Sequence, residues 1–335
     1  MQRSTLLFCG ATVVLVVLLV LNLFCGAVSL PFSQTLAALT GGETGTVVRF
    51  IVIESRLPQS LTALLCGATL AGSGLILQTL FQNPLADPSI LGVNSGASLG
   101  VAFVMLAMGG SVVSLGTIFS GFLLIVAAAF LGATAIILLL LLFARYVRNN
   151  ITLLITGIMI SYLTSSVISL LNYSATEQGV YSYVMWGMGN FGGVSLGTMP
   201  WFALTMIVCL ALCVSLIKPL NALLLGTNYA ENLGINIRRT RITMLLATGL
   251  ISATATAFCG PISFIGLAVP HITRLISHTA NNRVLMPLTL LFGAIIGLAC
   301  NRLCSLPPDG TLIPLNVVTP FFGVPVILYV LLKRK

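Results

Sequence analysis

Residues 114–144 read SLGTIFSGFLLIVAAAFLGATAIILLLLLFA, a run without a single charged side chain. The run is longer than the roughly 20 apolar residues that a helix needs to cross a bilayer. Comparable apolar runs, separated by short polar, Pro- or Gly-containing breaks, recur along the whole chain. They lie at about 5–28, 58–81, 90–109, 114–144, 151–172, 199–217, 241–258, 262–277, 284–304 and 315–332. This pattern predicts an all-α integral membrane protein with about ten spans, organised as one transmembrane domain over 1–335.

Composition excludes a water-soluble protein. Of the 335 residues, 58% are hydrophobic and 6% are charged, whereas soluble domains carry about 25% charged residues. The net charge of +9 does not predict nucleic-acid binding, because the basic residues are spread over the breaks between apolar runs.

With a cytoplasmic N-terminus, 12 of the 15 Lys and Arg residues fall at cytoplasmic span ends, so both termini are expected in the cytoplasm. The first run is longer than a signal-peptide core and is expected to remain as a span.

The chain lacks the groups that would power transport on its own. An ion-coupled carrier needs an ionisable side chain inside the membrane, but all six acids map to predicted loops or span ends: Glu43, Glu54, Asp87, Glu177, Glu231 and Asp309. ATP hydrolysis needs a phosphate-binding GxxxxGK motif, and no lysine of this chain follows a glycine. The sequence therefore predicts a non-enzymatic chain powered by another polypeptide. An ion-coupled secondary transporter remains the alternative, and a polytopic membrane enzyme is a third hypothesis.

Metal and catalytic sites are not predicted either. The eight cysteines show no CxxC spacing, and His271 has only His278 nearby in sequence. No paired carboxylates or Ser/His/Asp set is visible. The sequence therefore predicts no catalytic residue, no cofactor and no metal site.

The longest predicted cytoplasmic stretch is 218–241, which reads KPLNALLLGTNYAENLGINIRRTR. Its Pro, Gly and Asn residues predict two short helices outside the bilayer. Asn228 is the expected N-cap of the second helix, with Glu231 three residues later, and Gly234 is the expected end. A compact helix pair of this kind is suited to transmitting a push from a motor protein. An ordinary solvated loop is the competing interpretation.

Several motifs in a fixed order give the chain its resemblance to a known family. They are Arg56 to Pro58; Gly72 and Gln78; Asn83 to Pro88; Leu91 and Gly92; Gly96 and Ala97; Trp186 and Gly187; Phe191 to Gly193; Leu225 and Gly226; Ala230; Leu233 and Gly234; Gly260 to Arg274; and Gly323 to Pro325. Over essentially its whole length the chain resembles the membrane-spanning permease subunits of ABC importers for iron siderophores, haem and cobalamin, and is close to the cobalamin importer permease.

This resemblance implies a type II ABC importer permease fold of ten helices and a homodimer in the lipid bilayer of the bacterial inner membrane. It also implies two ABC ATPase subunits, a periplasmic or lipid-anchored substrate-binding protein, and no nucleic-acid partner. Three sets of functional residues carry over: Asn83 and Leu85 at the cytoplasmic gate; Leu225, Gly226, Ala230, Glu231, Leu233 and Gly234 in the helices that couple to the ATPase; and Arg56 for docking the binding protein. The cargo implied is an iron chelate (siderophore or haem) or cobalamin.

The docking set departs from the family pattern. A second docking arginine is replaced by Gln59, and the usual Asp and Arg near the end of the ninth span are replaced by Asn301 and Ser305, with Arg302 offset. Arg49 and Arg302 are therefore the weaker substitutes beside Arg56.

Overall fold

Apolar helices dominate the fold. The computed structural model describes residues 2–107, 118–147, 150–307 and 311–333. Every regular element within these ranges is helical: α1 Gln2–Phe24, α2 Phe32–Thr40, α3 Thr46–Arg49, α4 Leu57–Leu80, α5 Val93–Ala102, α6 Ile118–Tyr146, α7 Asn150–Ser174, α8 Glu177–Gly187, α9 Met199–Ser215, α10 Ile217–Leu223, α11 Thr227–Asn232, α12 Ile237–Cys259, α13 Ile265–Ser277, α14 Asn282–Cys304 and α15 Leu315–Lys333. Single π-helical turns join α3 to α4 and extend α5, and a 3-10 turn, Pro88–Leu91, precedes α5.

The apolar helices match the predicted spans. Among the described residues, six segments are long and apolar enough to cross a membrane: 4–24, 46–80, 121–144, 151–174, 237–259 and 282–304. The pair α9 and α10 passes the same test as one bent span, and three shorter apolar helices lie at 93–107, 265–277 and 315–330. Together these segments correspond one by one to the ten runs in the sequence, which confirms the all-α membrane architecture.

The first of two compact units comprises Met1–Gly72, Asn190–Val214 and Ser263–Lys335. Within it, α14 packs against α1, α13 and α15. The backbones of α14 and the first half of α4 are in direct contact. If Gly67 carried a Cβ atom, that atom would collide with the carbonyl oxygen of Gly293, and a Cβ atom on Gly297 would collide with the carbonyl oxygen of Ala63. Small residues four apart allow this approach, which is how helices gain packing energy in lipid.

The second unit comprises Ser73–Gly189 and Ser215–Ile262. Its centre is the packing of α5 on α6 and of α12 on both. A Cβ on Gly96 or on Gly132 would collide with the backbone of the other helix. The Oδ1 atom of Asn94 on α5 accepts hydrogen bonds from Ser252 (2.6 Å) and Thr256 (3.1 Å) on α12. The glycines of the third predicted span thus serve helix packing.

Three short helices, α2, α3 and α8, lie between the long ones and are absent from the sequence prediction. α2 packs by Thr35 and Ala38, which are buried, while Phe32 stacks on Phe24 at the end of α1 with ring centroids 4.6 Å apart. Its remaining side chains are exposed or half-buried. Segments of this length and mixed polarity give no apolar run, so a search for spans passes over them.

Candidate functional site

The predicted gate residues lie in a tight turn that follows α4. Gln82 adopts a left-handed conformation (φ 49°), and the backbone N–H of Asn83 donates to the carbonyl oxygen of Gln78 (3.2 Å), closing the helix end. The Asn83 side chain then accepts a hydrogen bond from the backbone N–H of Leu85 (2.9 Å). Asn83 therefore builds the turn, and Leu85 is presented at its tip with an exposed side chain.

The turn continues into the 3-10 helix through Asp87. Its carboxylate accepts hydrogen bonds from the backbone N–H (3.1 Å) and the hydroxyl (2.5 Å) of Ser89. Burial raises the pKa of the Asp87 carboxyl, and the bonds from Ser89 oppose that shift. Gly92 ends this stretch with φ 79°, and a Cβ there would lie 3.0 Å from the carbonyl oxygen of Gly157 on α7. The segment after α4 is thus held by hydrogen bonds at both ends.

The stretch predicted as a pair of short helices does form one, α10 and α11. α10 buries Leu220 and Leu223, whereas α11 buries only Ala230. The predicted N-cap is wrong: Gly226, not Asn228, precedes the helix, with φ 100° and ψ 153° and no side-chain cap. That backbone conformation is essentially restricted to glycine, so the glycine decides where α11 begins.

Four large side chains around α11 are exposed, although the segment lies outside the long apolar helices. They are Leu224, Leu225, Tyr229 and Leu233, each between 48% and 63% exposed, and we call them the α11 patch. An apolar patch on a polar segment marks an interaction surface. Leu224 and Tyr229 were not among the predicted coupling residues; their signal in the sequence is an apolar side chain within a stretch predicted to face water.

Two backbone features end the helix pair. Gly234 has φ 80°, and its N–H donates to the carbonyl oxygen of Glu231 (2.8 Å). Asn236 then caps α12, its side chain accepting from the backbone N–H of Arg239 (2.9 Å). The predicted glycine end of α11 is confirmed, and Glu231 itself is exposed.

Arg56 has a different environment from the exposed docking residue that the resemblance implies. It is only 5% exposed, and its Nη1 atom donates to the carbonyl oxygens of Leu23 (3.1 Å) and Phe24 (3.0 Å) while Nη2 donates to that of Val28. A Cβ on Gly26 would lie 2.7 Å from the Nε atom. Because α1 ends at Phe24, these carbonyl oxygens have no partner within the helix, and the guanidinium group donates hydrogen bonds to them. It also places a positive charge at the negative end of the helix dipole.

The other two predicted docking arginines differ from each other. Arg49 is exposed at the last residue of α3. Arg302 is half-buried, and its Nη1 atom donates to the backbone carbonyl (3.3 Å) and hydroxyl (3.0 Å) of Ser305. Arg302 lies near enough to Arg56 for the two charges to repel. The structure thus brings Arg56 and Arg302 close together.

A buried amide pair joins the ends of two helices beside these arginines. Asn301 Nδ2 donates to Asn22 Oδ1 (2.8 Å), and Asn22 Nδ2 donates to the carbonyl oxygen of Leu298 (3.1 Å). A cavity of about 180 Å³ lies next to the pair. Its polar lining consists of Asn22, Ser55, Arg56, Gln59, Asn301 and Ser305.

Comparison with known proteins assigns this arrangement to a family. The model of the FecCD transport family matches residues 14–333. The chain belongs to the FecCD transport family. Among its relatives, the vitamin B12 import system permease protein BtuC of Klebsiella pneumoniae is 33% identical over 335 residues, which is 100% of this chain and 96% of that protein. The BtuC protein of Salmonella typhi is 37% identical over 286 residues, covering 84% of this chain and 83% of that protein.

A solved structure of the same fold supports the assignment. It shows an inward-facing conformation of a transporter assigned to the metal-chelate ABC type, with a TM-score of 0.83, 31% sequence identity and coverage of 99% of each chain. The FecCD family membership confirms the resemblance read from the motifs, and the structural match confirms the type II permease fold. Whether the gate, coupling and docking residues act as the resemblance implies stays a prediction.

Proposed function

We propose that this chain is the transmembrane subunit of an ATP-binding-cassette importer that carries a metal chelate or cobalamin across the bacterial inner membrane. Family membership and the functions of the relatives support the class of cargo. The observation that carries the proposal is the α11 patch: apolar side chains stand exposed on and beside a short helix that follows Gly226, outside the long apolar segments. Such a surface requires a protein partner to cover it.

The power for transport comes from that partner in this proposal. The sequence has no phosphate-binding loop, so we assign ATP hydrolysis to two ABC ATPase subunits that bind α10 and α11 of a homodimer of this chain. Nucleotide-driven closure of the ATPases would move each helix pair and switch the path between two access states. The distribution of basic residues then places both termini and the α11 patch in the cytoplasm.

The gate lies in the turn after α4. We assign the constriction to Leu85, whose exposed apolar side chain is positioned by the Asn83 hydrogen bond. An apolar constriction closes a water-filled path by excluding water. A path without charged groups suits a large, nearly neutral cargo, a description that siderophore chelates, haem and cobalamin share.

The opposite side of the membrane receives the substrate-binding protein. We place docking at the segment between α1 and α4, with Arg49 as an exposed contact and with Arg302 of α14 near Arg56. Arg56, also predicted for docking, would act on this surface through the end of α1 that it holds, since it is buried and its Nη1 and Nη2 atoms already donate to the carbonyl oxygens of Leu23, Phe24 and Val28.

Reconstitution tests the proposal. The chain is purified alone and together with the ATPase encoded beside its gene, and both are placed in liposomes with the neighbouring binding protein and radiolabelled cobalamin, ferric siderophore or haem. We expect no ATP hydrolysis by the chain alone, hydrolysis by the complex, and uptake of one of these cargoes only with ATP.

The competing secondary-transporter hypothesis predicts a different result. Liposomes containing this chain only would then accumulate cargo under a proton or sodium gradient. That outcome, or ATP turnover by the chain alone, would overturn the proposal.

A further inference from the structure

A second surface in the first compact unit has chemistry that the docking arginines do not explain. The connection between α1 and α4, residues 25–56, carries two acidic side chains, Glu43 and Glu54, and two basic ones, Arg49 and Arg56. Arg56 is buried, whereas the other three are exposed. The exposed side chains of this connection therefore carry two negative charges and one positive charge.

Next to Glu43 the connection forms a groove of about 430 Å³, which we call the α2 groove. It lies between α2, the loop after α2 and α3. Its polar lining is Ser33, Gln34, Glu43 and Thr44, and Ala37, Gly45 and Val48 complete it. Among the residues that the structure describes, Glu43 is the one charged residue lining it, so the groove offers a carboxylate together with neutral oxygen acceptors.

The backbone fixes the position of that carboxylate. Gly41 caps α2 in the left-handed conformation (φ 79°), and the N–H of Gly42 donates to the carbonyl oxygen of Ala37 (2.8 Å). Glu43 follows directly. It therefore sits beyond the carboxyl end of a nine-residue helix, where the helix dipole adds negative potential to the charge of the side chain. Both effects favour a cation in the groove.

The scaffold around the groove is held in place. α2 packs against α3 and the turn that follows it, and the stacking of Phe32 on Phe24 anchors its start to the end of α1. The bonds from Arg56 to Leu23, Phe24 and Val28 hold the connecting loop. A preformed groove loses little entropy when a side chain enters it.

We propose that the α2 groove accepts a lysine or arginine side chain of the importer's substrate-binding protein, with Glu43 as its ionic partner. The inference rests on the proposed function, which places the α1–α4 connection on the side that the binding protein approaches. It also reverses the polarity of docking at this point: with Arg56 buried and Gln59 uncharged, the permease contributes an acid and the binding protein a base. Arg49, exposed nearby in sequence, remains available for an acidic group of the same partner.

Affinity measurements on charge variants test the inference. The complex of this chain with its ATPase is placed in nanodiscs, and binding of the binding protein encoded beside the gene is measured at low and high salt. Glu43→Gln is expected to weaken binding about two- to fivefold, the effect of one exposed ion pair. Glu43→Lys should weaken it about tenfold or more and reduce its salt dependence, because like charges then meet.

Glu54→Gln is the matched control, since Glu54 is exposed on the same connection but does not line the groove. We expect its affinity to stay within about twofold of wild type. An exposed Glu43 makes the fold insensitive to these changes, which an unchanged thermal unfolding curve verifies.

Two outcomes would overturn the inference: wild-type affinity in both Glu43 variants, or tighter binding by Glu43→Lys, which would indicate an acidic partner. Failure of the proposed function looks different. In that case the wild-type complex itself neither binds the neighbouring protein nor shows uptake.

Discussion

Gly234 controls the angle at which the chain leaves α11 for α12. Its φ of 80° lies in a region that costs an L-residue about 1–2 kcal/mol, and no atom outside its immediate neighbours would contact a Cβ there. The restriction is therefore conformational and not steric. Asparagine tolerates the same region better than other non-glycine residues.

We therefore expect Gly234→Val to keep membrane insertion but to abolish ATP-driven uptake, because the branched side chain forces α11 out of its position. Gly234→Asn should retain substantial uptake. Uptake assays in liposomes, with membrane levels measured by immunoblot, check both. Equal activity of the valine and asparagine variants would show that the left-handed backbone does not matter for coupling.

Arg56 is the other residue whose structural surroundings determine its role. Its hydrogen bonds join the end of the first membrane helix to the start of α4 through backbone carbonyls alone. Backbone acceptors exist whatever side chains the connecting loop carries, so the sequence offers no sign of this arrangement.

Replacing Arg56 by glutamine should lower the stability of the purified protein by about 1.5–3 kcal/mol, the range for hydrogen bonds from a charged group. Arg49→Gln is the control, since Arg49 is exposed and such changes stay within about 0.5 kcal/mol. Thermal unfolding in detergent measures both. If Arg56→Gln unfolds at the wild-type temperature while the affinity for the binding protein falls, Arg56 is a direct docking contact after all.

The helix α11 is too short to be stable by itself. It has six residues, far fewer than the roughly 12–15 that an isolated helix needs, and Ala230 is its single buried residue. Contacts with α10 and α12 hold it in place. Because almost all of its side chains are not buried within this chain, α11 can gain contacts from a partner.

Exchanging Leu225 and Leu233 for serine should weaken assembly with the ATPase subunit about tenfold or more, because each loses most of an apolar side chain's burial at the interface. Leu306→Ser is the matched control, since Leu306 is a leucine of similar exposure (54%) far from this segment in sequence. Co-purification with tagged ATPase and its dissociation constant measure the effect. Undiminished assembly of the double variant would remove the α11 patch from the coupling surface.

The elements also show how far the sequence predicts the structure. Long apolar runs predict the spans because a helix in lipid needs an apolar surface. Gly234 predicts the end of α11 because glycine adopts a positive φ more readily than other residues. The sequence misplaces the N-cap of α11 at Asn228, since the positive φ of Gly226 overrides the capping pattern. The burial of Arg56 and the α2 groove depend on contacts between distant segments, which no local pattern encodes.

In the complete chain the predicted sites divide between the two compact units. The docking arginines and the α2 groove belong to the first unit, and the gate turn and the helix pair belong to the second. α4 runs without interruption through residues of both, beginning directly after Arg56 and ending shortly before Asn83.

The amide pair of Asn22 and Asn301 also constrains how often the chain crosses the membrane. It joins the carboxyl ends of α1 and α14, so these two helices run in the same direction and an even number of crossings separates their starts. Counting only the six long segments gives five crossings before α14, an odd number. Including the bent pair of α9 and α10 raises the number of crossings before α14 to six, which is even. The number then stays even only if the short helices α5 and α13 both cross the membrane or neither does.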